Sequence, residues 1–297
     1  LEIQPSNERM LGLPVLRQQL VARGYREAIS YSFVDPSVEQ LLAPESTAVK
    51  LANPISSDMS VMRTTLWSGL LPALRYNLNR QQERIRLFEA GLRFLPGREL
   101  QQQRVIAGAI TGSRAPKGWT SNNDPVDFYD IKGDVEALLS AGQQDEEYQW
   151  QPATHPALHP GQSAQIVQKG ELVGIVGKLH PSIQKGLDIG QPVYVFELVL
   201  EKVLKSDLPS FEDLSKFPEV RRDLAVIVDE NLPSDQLLES VRSCAGEQLT
   251  KLKVFDVYQG KGVEKHRKSV AIGLTFQHAS RTLTEEEING AFERVVK

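Results

Sequence analysis

The sequence holds a single cysteine, Cys244, so an internal disulfide is excluded and nothing asks for an oxidising compartment; the cytoplasm is the expected location. No apolar run approaches the roughly 18 residues of a membrane-spanning helix, and no basic-then-apolar leader opens the chain, so no membrane role is expected. A basic surplus is also missing. Lys and Arg number 34 against 38 Asp and Glu, a formal net charge of −4. Free-standing nucleic-acid binders draw much of their affinity from counterion release and need positive charge. Any such contact here must therefore be local, or shared with a more basic partner. There is no Walker sequence, no Gly-x-Ser-x-Gly elbow, no internal repeat and no low-complexity tract. An initial Met is absent, and Lys297 falls inside a helical pattern with no stop signal, so both ends read as cut from a longer chain.

What remains is an ordinary globular composition, 40% hydrophobic and 24% charged, long enough at 297 residues for two domains. Leu16, Leu20 and Val21 at helical spacing mark a helix over 14–23 closed by Gly24. Strict alternation over 27–33 predicts a half-buried strand with Ile29, Tyr31 and Phe33 on one face. Asp35-Pro36 opens a short helix to about Leu42, and Leu70, Leu71, Leu74 and Leu78 stripe a second helix over 66–78. Strands are expected over 85–94, 105–111, 163–167, 172–179 and 193–199, with Lys169-Gly170 as a hairpin turn. A helix over 131–141, capped by Asp130, interrupts them. This order predicts an α+β fold with an antiparallel sheet and flanking helices.

The polar, proline-containing run 206–213 marks a boundary, giving domains 1–209 and 210–297. Beyond it the pattern is β-α-β-β-α: strands over 224–228, 252–258 and 269–277, with Ser234 and Thr284 capping the helices. That is a ferredoxin-like unit lacking its last strand.

Three groups of residues imitate functional sites. His155, His159 and His180 each precede proline in a loop without accompanying cysteines or carboxylates, so no metal site is expected. Asp124, Asp127, Asp130 and Asp134 do not follow a calcium-loop spacing. Gly174 and Gly177 sit inside a strand and suit close packing better than a phosphate loop. No catalytic residue is expected; Cys244 lies in a helical pattern with no histidine nearby in sequence.

One group stands out. Along 253–258 alternation sets Val254, Asp256 and Tyr258 on one face and Phe255 and Val257 on the other. With Phe255 and Val257 as the core side, Asp256 and Tyr258 point outward. An outward tyrosine beside a carboxylate suits an unpaired base, which would stack on the ring and donate to the acid. Lys261, Lys265, His266, Arg267 and Lys268 follow as local cation for phosphates, and Ser269 opens the next strand. The same residues equally suit a solvated hairpin whose lysines keep an edge strand from pairing.

Ordered motifs add a resemblance. Phe217-Pro218-Glu219-Val220-Arg221-Arg222-Asp223-Leu224-Ala225, Asp256-Val257-Tyr258-Gln259-Gly260, Lys268-Ser269 and the run Arg281 to Ile288 resemble the ferredoxin-fold anticodon-binding domain of the bacterial phenylalanyl-tRNA synthetase β subunit. Upstream, the run Gly24 to Phe33, Asn53-Pro54-Ile55-Ser56, Met62 to Leu66, Leu87-Phe88-Glu89-Ala90-Gly91, Lys132-Gly133-Asp134, His159-Pro160-Gly161 and Phe196-Glu197-Leu198 resemble that subunit's catalytic-like module. The resemblance implies a class II synthetase-like sheet over 1–209 that packs against an α subunit, and anticodon binding over 210–297. It implies tRNA(Phe) contacts by Tyr258, stacking on a base, and by Asp256 and Ser269, bonding to base edges. It also implies an α2β2 ligase in which the α subunit uses ATP and magnesium, with no cofactor in this chain, and further domains upstream. An active class II enzyme carries a Phe-Arg-x-Glu element after the strand matching 85–94; here Phe94 runs into Leu95-Pro96-Gly97. The late glycine-rich strand with its arginine is replaced by Val195 to Lys202. The implied module is therefore inactive by itself. A small-molecule regulatory role for the ferredoxin-like unit is the alternative, disfavoured because the turn 229–233 has no glycine to admit a ligand.

Overall fold

The computed structural model describes residues 11–142, 148–206 and 214–296. The chain divides into two compact units, 1–209 and 210–297. Most of the run read as the connecting segment, 207–213, lies outside the described residues, as do the two chain ends, 1–10 and Lys297.

In the first unit α1 (Leu13–Ala22) buries Leu16 and Leu20, and Gly24 at φ +82° turns the chain out of it. Then comes β1 (Arg26–Glu27), and the strand expected over 27–33 breaks up. Ile29 is 93% exposed and Tyr31 is also exposed, while Ser30 turns inward to the Glu89 carboxylate. Alternation identified two faces, but the polar face became the buried one because a carboxylate waits beneath it. Two further short strands, β2 (Phe33–Val34) and β3 (Val61–Met62), pair antiparallel around α2 (Pro36–Leu42). Asp35 caps α2 by accepting from the Ser37 amide at 2.8 Å. The helix α3 (Trp67–Leu78) buries Leu70, Leu71 and Leu74 completely.

The main sheet follows: β4 (Ile85–Leu95), β5 (Gln101–Thr111), then α4 (Phe128–Ser140), β6 (Gln149–Pro152), β7 (Leu158–Gln168), β8 (Glu171–Leu179), α5 (Pro181–Gly186), β9 (Val193–Val199) and α6 (Leu200–Val203). Its order is β1-β4-β5-β9-β8-β7-β6. All neighbours are antiparallel except β1, which runs parallel to β4. The sheet is thus mixed rather than wholly antiparallel, because the chain between β1 and β4 crosses over through α2 and α3. The edge strand β6 has too few apolar residues to be anticipated.

Both faces of this sheet are covered. Phe88, Ile106, Phe196 and Leu198 pack under α1 and α4, whereas Leu87, Val105, Ala107 and Val195 pack under α2, α3 and α5. Successive residues such as Leu87 and Phe88 therefore point into different cores, which is why the strands read as nearly continuous apolar runs. Gly174 is a close-packing residue: a Cβ there would fall 2.5 Å from the Glu197 carbonyl oxygen. Lys169 and Gly170 make the β7–β8 turn with φ of +53° and +77°. The cap of α4 is Asp127 rather than Asp130. Asp127 accepts from the Tyr129 and Asp130 amides, and Asp130 reaches back to the Asp127 amide at 2.8 Å, a reciprocal box starting three residues earlier than expected.

The second unit contains β10 (Val220–Asp229), α7 (Ser234–Ala245), β11 (Leu249–Tyr258), β12 (Arg267–Phe276) and α8 (Glu285–Val296). The sheet order is β10-β12-β11, all antiparallel, and no strand follows α8 among the described residues. Ile272, Leu274 and Phe276 on the central strand pack with Val241, Ile288 and Ala291 of the two helices. Ser234 does not cap α7; it is the first helical residue, after Pro233, and makes no cap bond. Thr284 does cap α8. Its amide donates to the Glu287 carboxylate at 3.0 Å, and its hydroxyl accepts from the Glu287 amide at 3.3 Å.

Candidate nucleic-acid interface

With both helices on one side, the second unit's sheet has an open face. Register assigns residues to it, because directly paired residues of antiparallel strands share a side. Tyr258 pairs with Ser269, which pairs with Ile227; Asp256 pairs with Ala271, opposite Ala225; Lys253 pairs with Gly273, opposite Asp223. The alternate residues Val270, Ile272 and Leu274 are buried under the helices. The structure therefore brings Asp256, Tyr258 and Ser269 together on one uncovered surface.

The face contains more than alternation predicts. Pairing jumps between Val254–Ile272 and Asp256–Ala271, so Phe255 is an extra, bulged residue. Val254 consequently packs against the core instead of sharing a side with Asp256, and Phe255 is not a core residue: it is 48% exposed, with the Arg221 guanidinium 5.3 Å from its ring centroid. Val257, also expected inward, pairs with the buried Val270 yet remains half-exposed near the strand end. The bulge was invisible to a period-two reading because it needs one unpaired residue on β11 and none on β12. Arg221 and Ile227 were missed as well, although alternation along β10 carried the signal for both.

Tyr258 is held in place. Its hydroxyl donates to the Lys261 carbonyl at 3.1 Å, and the ring lies over Gly260, where a Cβ would stand 2.7 Å from the hydroxyl. The ring is still 46% exposed. The cations of the β11–β12 loop are not equivalent. Lys261 and Lys265 are exposed and form no ion pair among the described residues. Arg267 pairs with Glu264 at 3.2 Å. Lys268 pairs across the strand with Val228, on the helix side, and its ammonium donates to the Leu232 carbonyl at 2.7 Å, so it is turned away from Tyr258. His266 lies 3.0 Å from the Glu230 carboxylate, which holds its imidazole above the ordinary histidine value.

The first unit places its charges differently. On the α3 side of the main sheet, Arg63 pairs with Glu89 at 2.8 Å and Arg93 pairs with Glu197 at 2.5 Å. Glu197 also accepts from the Thr65 hydroxyl and the Leu66 amide, both at 2.8 Å. Glu39 accepts from the Thr64 amide and hydroxyl, and burial pushes its carboxyl up from the usual range. His155 packs edge-on to Trp67, 5.4 Å between centroids, and His159 and His180 lie 6.4 Å apart. No group of three or more histidine, cysteine or carboxylate side chains that could hold a metal is found among the described residues. No helix among them is long and apolar enough to cross a membrane.

The fold is an α+β module followed by a unit of ferredoxin-like β-α-β-β-α order. Residues 3–200 match the family model of the phenylalanyl tRNA synthetase beta chain CLM domain, and residues 215–297 match that of the ferredoxin-fold anticodon binding domain. Phenylalanine–tRNA ligase beta subunits of Pseudomonas fluorescens and Pseudomonas putida are 53% and 54% identical over 96% of this chain. That of Hahella chejuensis is 48% identical over the whole of this chain. The chain belongs to the phenylalanyl-tRNA synthetase beta chain family. It spans little more than a third, 36–38%, of the length of these relatives. A pyrrolysyl tRNA synthetase structure, PylSc of Desulfitobacterium hafniense, aligns with a TM-score of 0.48 at 14% identity, covering 67% of this chain and 70% of that one.

Proposed function

We propose that this chain is a non-catalytic part of the phenylalanine–tRNA ligase beta subunit, which supports the αβ assembly and holds the anticodon region of tRNA(Phe) on the open face of the second unit's sheet. The observation carrying this reading is the clustering of Asp256, Tyr258 and Ser269 on a face that no helix covers. An exposed ring offers stacking to an unpaired base, and a carboxylate and a hydroxyl beside it meet the donors and acceptors of base edges. Lys261 and Lys265 are free to approach phosphates, whereas the contacts of Arg267 and Lys268 make those two weaker candidates.

Chemistry is assigned to the alpha subunit of an α2β2, cytoplasmic enzyme, where ATP and magnesium would act. The α3 face of the first unit's sheet supports this division. Arg63 and Arg93, the cations on the α3 face of β3 and β4, are each neutralised by a buried carboxylate, and both sheet faces are packed with apolar side chains. Neither of these two arginines is left free to grip a triphosphate. The class II likeness of this sheet belongs to the same proposal. Exposed Ile29 and Tyr31, with Tyr31 stacked on Phe33 at 5.2 Å, form an apolar patch suited to a subunit contact.

The test is tRNA(Phe) binding by the reconstituted full-length ligase carrying Tyr258→Ala. Loss of one stacked base predicts about 1–3 kcal/mol of affinity. Unchanged affinity would remove the assignment.

A further inference from the structure

We infer that the open face carries a second nucleotide subsite, formed by Phe255 and Arg221, next to the one at Tyr258. It rests on the RNA-binding reading above and extends it to residues outside the Asp256–Tyr258–Ser269 group. The β11 bulge brings Phe255 to this side of the sheet with half its surface uncovered. Arg221 is set beside it rather than left to wander. Its Nε donates to Asp223 Oδ1 at 2.8 Å, and its guanidinium passes over Gly273, where a Cβ would lie 3.1 Å from Nη2. A planar cation and an aromatic ring are thus presented together, the pairing on which a flat, unpaired nucleobase stacks with little regard to its identity.

The floor of the face supports the spacing. The row between Tyr258–Ser269 and Lys253–Gly273 contains Ala225 and Ala271 beside Asp256, and the two alanines are too small to wall off one bound base from the next. At about 3.3 Å of rise per residue, adjacent rows on this face are about 7 Å apart, which sets the Tyr258 and Lys253 rows, with one row between them, about 13 Å apart, room for two separately held bases of one splayed strand. Lys253, beside Gly273, forms no ion pair among the described residues and is placed to meet the intervening phosphate. The occupant is therefore a second unpaired nucleotide of the same strand, with Asp256 reading edges near Tyr258 and the Phe255–Arg221 pair gripping the second base by its face.

The experiment uses the full-length ligase and an anticodon stem-loop RNA. Binding is measured for wild type, Phe255→Leu, Arg221→Gln and Tyr258→Ala, with the intact loop and with an abasic nucleotide at each loop position in turn. Phe255→Leu and Arg221→Gln should each weaken binding about fivefold or more. That loss should vanish with one abasic position, different from the position that cancels Tyr258→Ala. Wild-type binding by both new variants while Tyr258→Ala binds weakly would overturn the second subsite and leave the RNA reading standing. Cancellation at the same position as Tyr258 would also overturn it. Silence of all three variants would overturn both. Loss of subunit assembly in Phe255→Leu and Arg221→Gln, with RNA binding intact, would make the surface a protein contact and end the proposal. If Phe255→Leu unfolds the unit, the exposed Arg221→Gln decides alone.

Discussion

The two sheets of this protein treat charge in opposite ways. The seven-stranded sheet is covered on both sides and draws its arginines and carboxylates inward, where Arg63–Glu89 and Arg93–Glu197 neutralise each other. The three-stranded sheet is covered on one side only, and its other side keeps Tyr258, Phe255, Asp256 and Lys253 at the surface. A buried pair answers to its partner inside the fold; a ring face left in solvent, and an ammonium with no ion pair among the described residues, do not. One sheet is closed on both faces, and the other leaves one face to solvent.

Breaking the buried side should give the largest effect. Glu89→Ala strands the Arg63 guanidinium without its carboxylate, and urea unfolding should show the first unit about 3–5 kcal/mol less stable. A change within 0.5 kcal/mol would mean that water reaches Arg63 and that the two sheets differ less than stated. The next contrast lies within the second unit. Ile272→Ala, on the helix side, should lower stability by about 2–5 kcal/mol. Tyr258→Ala, on the open side, should leave unfolding nearly unchanged while costing about 1–3 kcal/mol in tRNA affinity. Should Tyr258→Ala destabilise as much as Ile272→Ala, the open face would be structural.

Smaller effects sharpen the account of α8. Thr284→Ala removes a side-chain cap and should cost about 1 kcal/mol, read as a lower melting temperature of the second unit. Acid should act at the same place. The Arg281 guanidinium and the Thr284 amide lower the Glu287 carboxyl from 4.5 to about 2. Because the folded value is the lower one, the cap's contribution is fully present above pH 4.5 and is lost as the pH falls through about 2. Glu287→Gln should flatten that part of the acid transition, followed by helical circular dichroism. An unchanged acid profile would show that the pair is not formed in solution.

Periodicity made much of this architecture legible. Helical spacing placed α1 and α3, capping residues started α2 and α8, and turn chemistry located the β7–β8 hairpin at Lys169-Gly170. Failures came where a local pattern was compatible with two tertiary outcomes. Alternation over 27–33 found two faces, yet Ser30 turned inward because Glu89 and Arg63 receive it. Asp130 had the composition of a cap, but Asp127 took the position and left Asp130 to close the box. The parallel pairing of β1 with β4 depends on a crossover that no local pattern records.

For the candidate site, local alternation was enough to place an outward Tyr258 and Asp256 on one strand beside a cationic loop, because the side-chain period of an extended chain is two. Which neighbours join them depended on how the strands pair. Pairing with β12 set Ser269 opposite Tyr258, and one unpaired residue at Phe255 moved an aromatic ring from the expected core to the surface, beside Arg221 of another strand. A bulge and a register are properties of two strands held together, and their energy depends on contacts far apart in sequence.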